Sequence, residues 1–187
     1  MFWNYFLPSG DKASFSIIRT IFWLLLVYYA LRFFSFGIND EVMDNFIHWP
    51  NLIFHEAWHV IFSFFGPFMM ILWGSLFQCL LPLFLTYIFL IREEDPFAAS
   101  ITLWWLGQNL TDVALYISDA WARALPLIGG MSEEAHDWWN LLTMMDMIEY
   151  DFTFWIMTHY IGMCIMLMAL LWWGYIIWYT YLPPKND

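Results

Sequence analysis

Long apolar runs constrain the fold of this sequence more than any other feature. Four of these runs cover Ser14–Phe36, Leu52–Phe65, Phe68–Ile91 and Phe152–Leu182, and another begins at Phe97. A helix needs roughly 20 apolar residues to cross a ~30 Å hydrocarbon core. Four runs meet that length, and the second is cut short by Gly66-Pro67. The sequence therefore predicts an all-α, polytopic transmembrane helical bundle, a single domain over residues 1–187 with four full spans and one short helix.

The composition agrees with a bilayer as the solvent and limits the partners. Hydrophobic residues make up 62% of the chain and charged residues 12%, whereas a soluble domain is about 25% charged. The formal net charge of −11 rests on only 6 Lys and Arg. Phosphate binding needs clustered basic residues, so nucleic acid is excluded as an expected partner. We expect contact with membrane lipid.

The short run carries the motif HEAWH, with His55, Glu56 and His59. On a helix the two histidines lie one turn apart on the same face. This is the arrangement in which two imidazoles ligate zinc and the glutamate acts as general base on a zinc-bound water. Ionisable groups at bilayer depth cost at least roughly 2–3 kcal/mol each, so three together favour a compensating metal. The alternative is a hydrated helix at the membrane interface.

A catalytic zinc normally takes three protein ligands, so a third is needed. The fourth run supplies a polar stripe at helical spacing: Asn109, Asp112, Tyr116, Asp119 and Arg123. Such a stripe cannot face lipid cheaply, and we expect it to face the HEAWH helix. Either Asp112 or Asp119 is a candidate third ligand. The alternative for the stripe is a hydrogen-bonded seam between helices.

Three further histidines lie outside the HEAWH motif. His136, in the segment AHDWW, is another candidate ligand, because a loop can fold back over a site. His48 ranks lower. For His159, in the last run, a hydrogen bond to a neighbouring helix is the default expectation, and a haem shared with His55 or His59 is the remaining alternative.

HEAWH followed by NLTDVALYISDA on a later helix resembles the site-2 protease family of intramembrane zinc metalloproteases. The resemblance covers about residues 51–120. It implies His55, His59 and Asp119 as zinc ligands, Glu56 as the base, and Asn109 near the substrate or the oxyanion.

The chain departs from that family at several points. Trp58 stands where the family usually has glycine, and Ala120 replaces the glycine after the aspartate. The prolines between Asn109 and Asp119 are missing, and the spacing of these two residues is longer than usual. Together with WLGQNL and HDW, this resembles a divergent bacterial branch. The resemblance implies a multi-pass protein of the bacterial inner (cell) membrane.

Two functions follow as expectations. The first is an intramembrane zinc metalloprotease, a metalloendopeptidase that hydrolyses a peptide bond in or next to the membrane, with a transmembrane protein as substrate. The second is a zinc-binding membrane protein without proteolytic activity, such as a pseudoprotease, an assembly partner or a transport subunit. Trp58 and the missing prolines favour the second function.

Overall fold

The computed structural model describes residues 6–7, 16–36, 46–125, 127 and 130–181. This part of the chain is helical and contains no strand, which confirms the all-α prediction. The ends of the first and last predicted spans, at Ser14 and Leu182, lie outside the described residues. The α-helices are α1 (Ser16–Phe36), α2 (His48–Phe62), α3 (Pro67–Tyr87), α4 (Pro96–Ser118), α5 (Asp137–Met144) and α6 (Asp151–Tyr181).

Local sequence signals set the helix boundaries around the HEAWH segment. After α2, Gly66 takes a φ of 92°, a conformation that L side chains rarely adopt, and Pro67 occupies the first turn of α3. Proline suits that position because its φ is already helical and its missing N–H would be unpaired there. At the start of α4, the Asp95 side chain accepts hydrogen bonds from the N–H groups of Phe97 and Ala98. These caps separate α2, α3 and α4 as the sequence predicted.

Helix α4 lies at the centre of the described structure. It packs closely along α6, and α3 contacts its other side, while α2 packs on α3 and α1 on α6. The two central helices touch at Gly107 and Gly162, where a Cβ added to either glycine would lie only 2.6–2.7 Å from the other's carbonyl oxygen. Small residues permit such close approach between helices. Most residues of α4 are consequently buried.

Two of the described helices are long and apolar enough to cross a membrane. One is α3 with the π-helical turn that follows it, Pro67–Arg92, and the other is α6 with the turn before it, Ile148–Tyr181. Both have a mean hydropathy of 1.9. The sequence predicted four full spans. The spans assigned to the first and fourth runs stay predictions.

Candidate metal centre

Two histidines and one aspartate converge between α2 and α5. His55 Nε2 lies 2.7 Å from Asp137 Oδ2, and His59 Nε2 lies 3.1 Å from the same oxygen. The three potential ligand atoms all lie within 4.8 Å of one another. His55 and Asp137 are buried and His59 is half-buried. This group could hold a metal ion.

The proton on His55 is assigned by a chain of hydrogen bonds that ends at a backbone carbonyl. The Trp105 carbonyl can only accept, so Asn109 donates its Nδ2 proton to it (2.9 Å) and presents Oδ1 to Gln78 Nε2 (3.3 Å). Gln78 Oε1 then faces His55 Nδ1 at 2.7 Å. Because that oxygen is an acceptor, Nδ1 carries the proton. Nε2 is left to face Asp137.

His59 is oriented in the same way by one direct bond. Its Nδ1 donates to the Met70 carbonyl oxygen at 2.9 Å, which again leaves Nε2 toward Asp137. Two imidazole lone pairs thus face one carboxylate oxygen. Acceptors at this distance repel unless a cation, either protons or a metal, lies between them. Metal-ligating histidines are commonly held by such a partner on the other ring nitrogen.

Gly74 on α3 makes room for the histidine pair. A Cβ added there would lie 2.6 Å from His59 Nε2 and 2.8 Å from His55 Nε2. These distances are shorter than real Cβ contacts, and both rings are held by their Nδ1 bonds. The missing side chain of Gly74 therefore leaves the space that the two rings occupy.

Asp137 reaches the histidines because α5 begins there. Its backbone N–H donates to the Tyr116 hydroxyl oxygen at 3.1 Å. The preceding residue, His136, caps α5 by accepting a hydrogen bond from the Trp139 N–H through Nδ1, 3.2 Å. Nε2 of His136 therefore carries its proton and donates to Asp119 Oδ2 at 3.2 Å.

Asp119 anchors the loop that leads to α5. Its two oxygens accept hydrogen bonds from the N–H groups of Ala124 and Leu125, both at 2.9 Å, in addition to the bond from His136. Asp119 and His136, both candidate ligands in the sequence, thus contact each other rather than His55 and His59. Their carboxylate and imidazole hold the start of α5 in place.

The charges of His136 and Asp137, where α5 begins, follow from their burial and their partners. Burial by itself raises the pKa of Asp137, but when protons lie between its carboxylate and Nε2 of His55 and His59, the resulting hydrogen bonds outweigh burial and hold that pKa below its usual value. Burial lowers the pKa of His136, and neighbouring Asp119 offsets this only in part. Asp137 is therefore an anion and His136 is neutral, in agreement with the cap it forms.

Asp112, the other candidate ligand, belongs to a separate polar network. Its partners on α2 lie one to two turns before His55. Its oxygens accept hydrogen bonds from His48 Nδ1 (2.8 Å) and Asn51 Nδ2 (3.0 Å). The same Asn51 nitrogen donates to Gln108 Oε1 (2.7 Å), while Trp105 Nε1 donates to Asn51 Oδ1 (2.8 Å). These bonds form a hydrogen-bonded seam between helices, which was the alternative explanation for the polar stripe of the fourth run.

The remaining predicted residues, Glu56, Asn109 and His159, lie in three different places. Glu56 lines the same cavity as His55 and His59. Asn109 is fully buried and supports Gln78. His159 lies on α6, outside the cavity lining, and its buried Nδ1 has no partner among the described residues, so the expected hydrogen bond to another helix is absent there.

Asp137 was missed by reasoning from the sequence, although it stands beside His136 in AHDWW. Its signal was weak: an acidic residue at the start of a short apolar segment, directly after the candidate ligand His136. Only the contact of α5 with α3 and α4 brings it to the histidines.

A cavity of about 450 Å³ adjoins the His–His–Asp group. Glu56 and Tyr116 are in its wall, and most of the remaining lining is apolar. The apolar lining residues are Leu52, Pro67, Met70, Ile71, Val113, Leu125, Leu127, Met131, Ala135 and Met144. An apolar cavity with a few convergent polar groups is the usual form of a small-molecule or peptide site.

Comparison with known proteins gives no relative: no family model, no curated protein and no solved structure matches the chain. The class is therefore defined by the fold and the site alone. Over its described residues the protein is all-helical, with two helices suited to cross a membrane and a His–His–Asp group able to hold a metal ion.

Proposed function

We propose that this chain is an intramembrane zinc metalloprotease with His55, His59 and Asp137 as zinc ligands and Glu56 as general base. The observation that carries the proposal is the pair of Nε2 atoms aimed at one carboxylate oxygen, each with its Nδ1 proton fixed by an acceptor. Glu56 lies in the adjoining cavity wall, where a substrate would bind.

The donor set favours zinc over harder cations. Two imidazole nitrogens and one carboxylate oxygen, with an open fourth position, form a typical catalytic zinc site. Calcium and magnesium prefer oxygen ligands throughout. Two histidines and a carboxylate also bind Fe(II) in oxygenases. The glutamate next to His55 favours hydrolysis, because hydrolysis requires a base for the attacking water.

The proposed reaction uses residues in stated roles. Bound zinc would acidify a water and polarise the scissile carbonyl. Glu56 takes a proton from that water as its oxygen adds to the carbonyl carbon. The same carboxylic acid then gives the proton to the leaving nitrogen when the C–N bond breaks. The apolar cavity wall excludes bulk water, which strengthens each electrostatic contact.

We further propose that α1 and α4 cross the membrane with α3 and α6, and that α2 enters it only in part. Helix α1 has 21 residues and exposes apolar side chains such as Leu24, Leu25 and Leu31. Helix α4 is covered by its neighbours, so its polar stripe does not meet lipid. A multi-pass protein of the bacterial inner (cell) membrane that acts on a transmembrane protein fits this arrangement.

The second candidate, a zinc-binding protein without proteolytic activity, retains one supporting observation. Helix α4 runs unbroken from Pro96 to Ser118, because it lacks the prolines of the family that the motifs resemble. The other departure from that family, Trp58, does not support this candidate. The Trp58 ring packs on Phe77 with their centroids 3.4 Å apart, and Trp58 is not part of the cavity lining.

The zinc-to-protein ratio of the detergent-purified full chain tests the metal centre. We expect a ratio near one in the wild type and a collapse of that ratio in Asp137→Asn. Glu134→Gln is the matched control, because Glu134 is an exposed carboxylate in the same cavity wall outside the His–His–Asp group. Zinc retained in Asp137→Asn but lost in Asp119→Asn would overturn this ligand set, and iron in place of zinc would overturn the hydrolase.

Glu56→Gln separates the protease from the second candidate. The full chain is reconstituted in liposomes with a library of tagged transmembrane peptides, and new N-termini are identified by mass spectrometry. We expect cleavage by the wild type and none by Glu56→Gln, with zinc retained in both. A zinc-loaded wild type that yields no new N-termini beyond those of Glu56→Gln would favour the non-proteolytic protein.

A further inference from the structure

Tyr116 lies in the cavity wall beside the proposed zinc ligands. Its hydroxyl oxygen accepts the hydrogen bond from the Asp137 N–H at 3.1 Å, so the hydroxyl lies next to the residue that supplies the carboxylate ligand. The Tyr116 ring centroid is 6.1 Å from that of His55 and 4.4 Å from that of His136. These contacts fix the ring on two sides.

The hydroxyl of Tyr116 has a proton without an acceptor. The oxygen is used as an acceptor by Asp137, but no described residue accepts the Tyr116 O–H itself. A phenol has an ordinary pKa of about 10 and keeps this proton at neutral pH. The residue lines the cavity, so a bound substrate oxygen is the partner that the site leaves open.

Asn109, the residue expected near the oxyanion, is not available for that role. Its side chain is fully buried and lies outside the cavity lining. Nδ2 donates to the Trp105 carbonyl, and Oδ1 accepts from Gln78. Breaking either bond would disturb the orientation of His55. Another donor is therefore needed where charge develops.

We propose that Tyr116 donates a hydrogen bond to the oxyanion formed during peptide hydrolysis, an inference that rests on the proposed protease function. When the oxygen of water adds to the carbonyl carbon, the π-electron pair moves to the carbonyl oxygen. Tyr116 stabilises this negative charge without transferring its proton. When the electron pair on the oxyanion re-forms the carbonyl π bond, the C–N bond breaks, and its electron pair goes to nitrogen, which receives the proton held by Glu56. Such donors act mainly on the transition state.

Tyr116→Phe tests the inference because it keeps the ring and removes the hydroxyl. In the full chain in liposomes we expect kcat for a cleaved library peptide to fall about 10²–10³-fold, as for loss of one oxyanion donor. KM and the zinc-to-protein ratio should stay near their wild-type values. Tyr150→Phe, at an exposed tyrosine outside the cavity lining, is the matched control and should leave kcat unchanged.

A second readout does not depend on turnover. A phosphinic peptide presents a tetrahedral oxyanion to the site, whereas a thiol-bearing peptide ligates zinc without one. Calorimetry should show that Tyr116→Phe weakens binding of the phosphinic peptide by about the same factor as it lowers kcat. Binding of the thiol peptide should change little. Equal weakening of both probes, or loss of zinc, would show that the hydroxyl acts only by holding Asp137 and would overturn the inference.

The outcomes separate this inference from the function beneath it. An active wild type with an equally active Tyr116→Phe, or unchanged phosphinic peptide binding, contradicts the role of Tyr116 alone. A wild type that neither binds zinc nor cleaves contradicts the protease, and the inference falls with it.

Discussion

At the scale of residues, the orientation of the two imidazoles is the most specific feature of the centre. Gln78 holds His55 through Nδ1, and the Met70 carbonyl holds His59. The pair of histidines on one helical face could be predicted from their spacing. The acceptors behind them could not, because Gln78 belongs to another helix and appears in the sequence only as a polar residue within an apolar run.

Replacing Gln78 by leucine should weaken zinc binding. The change removes the acceptor of the His55 Nδ1 proton, and loss of such a partner typically costs 10–100-fold in metal affinity. Competition with a zinc chelator at fixed pH measures the effect. Gln78→Glu restores an acceptor at this position and should bind zinc more tightly than Gln78→Leu. Equal affinity in the wild type and Gln78→Leu would contradict the assigned role.

Gly74→Ala should remove zinc from the protein. The new Cβ would lie 2.6 Å from His59 Nε2 and 2.8 Å from His55 Nε2, so at least one ring must leave its position. Overpacking of this kind costs about 1–3 kcal/mol. The matched control is Gly174→Ala, where the nearest atom is 3.4 Å away, an ordinary contact. Metal analysis of both variants checks the prediction, and a full zinc complement in Gly74→Ala would contradict it.

At the scale of elements, α5 shows why the third ligand was hard to predict. It has only 8 residues and follows a polar segment without clear helical periodicity. Its first turn depends on the His136 cap, and its position depends on the bond between His136 and Asp119. The polar stripe left both Asp112 and Asp119 open as the third ligand, and only the resemblance of the two motifs to a known family implied Asp119. Helix α4 ends at Ser118, and Asp119 instead turns the chain toward α5.

Asp119→Ala and His136→Ala should each lower zinc affinity without removing a ligand. Both break the same anchor of α5, so Asp137 is held less firmly against the histidines. We expect the zinc affinity of each variant to fall about 10-fold, in the range found for residues that support metal ligands. The zinc affinity of the double variant should fall by much less than the product of the two single-variant factors, because the effects of changing two residues in contact are not additive. Chelator titration of the four proteins measures this, and full additivity would argue against a shared anchor.

At the scale of the whole molecule, the apolar runs were sufficient to predict an all-helical protein, and Gly66-Pro67 was sufficient to place the break after α2. The arrangement was not predictable in the same way. Helix α4 is central because Gly107 and Gly162 permit its close approach to α6. In the sequence, a glycine inside an apolar run does not reveal which helix it meets.

The distribution of charge around the cavity predicts a preference among substrates. The carboxylates of Glu56, Asp112, Glu134 and Asp137 line it, none of the lining residues that the structure describes is Lys or Arg, and the whole chain has a formal net charge of −11. A divalent zinc offsets only part of this charge. An apolar peptide flanked by lysine should therefore enter more readily than the same peptide flanked by glutamate.

We expect kcat/KM to favour the lysine-flanked peptide by about 10-fold at low salt, since clefts of one charge sign concentrate the opposite sign by 10-fold or more. The preference should shrink at 1 M salt, where the Debye length falls to about 3 Å. Glu134→Gln, at the exposed part of the lining, should reduce the preference while leaving zinc bound. Paired peptide assays at two salt concentrations measure this. A preference for the glutamate-flanked peptide, or one unaffected by both salt and Glu134→Gln, would show that cavity charge does not select the substrate.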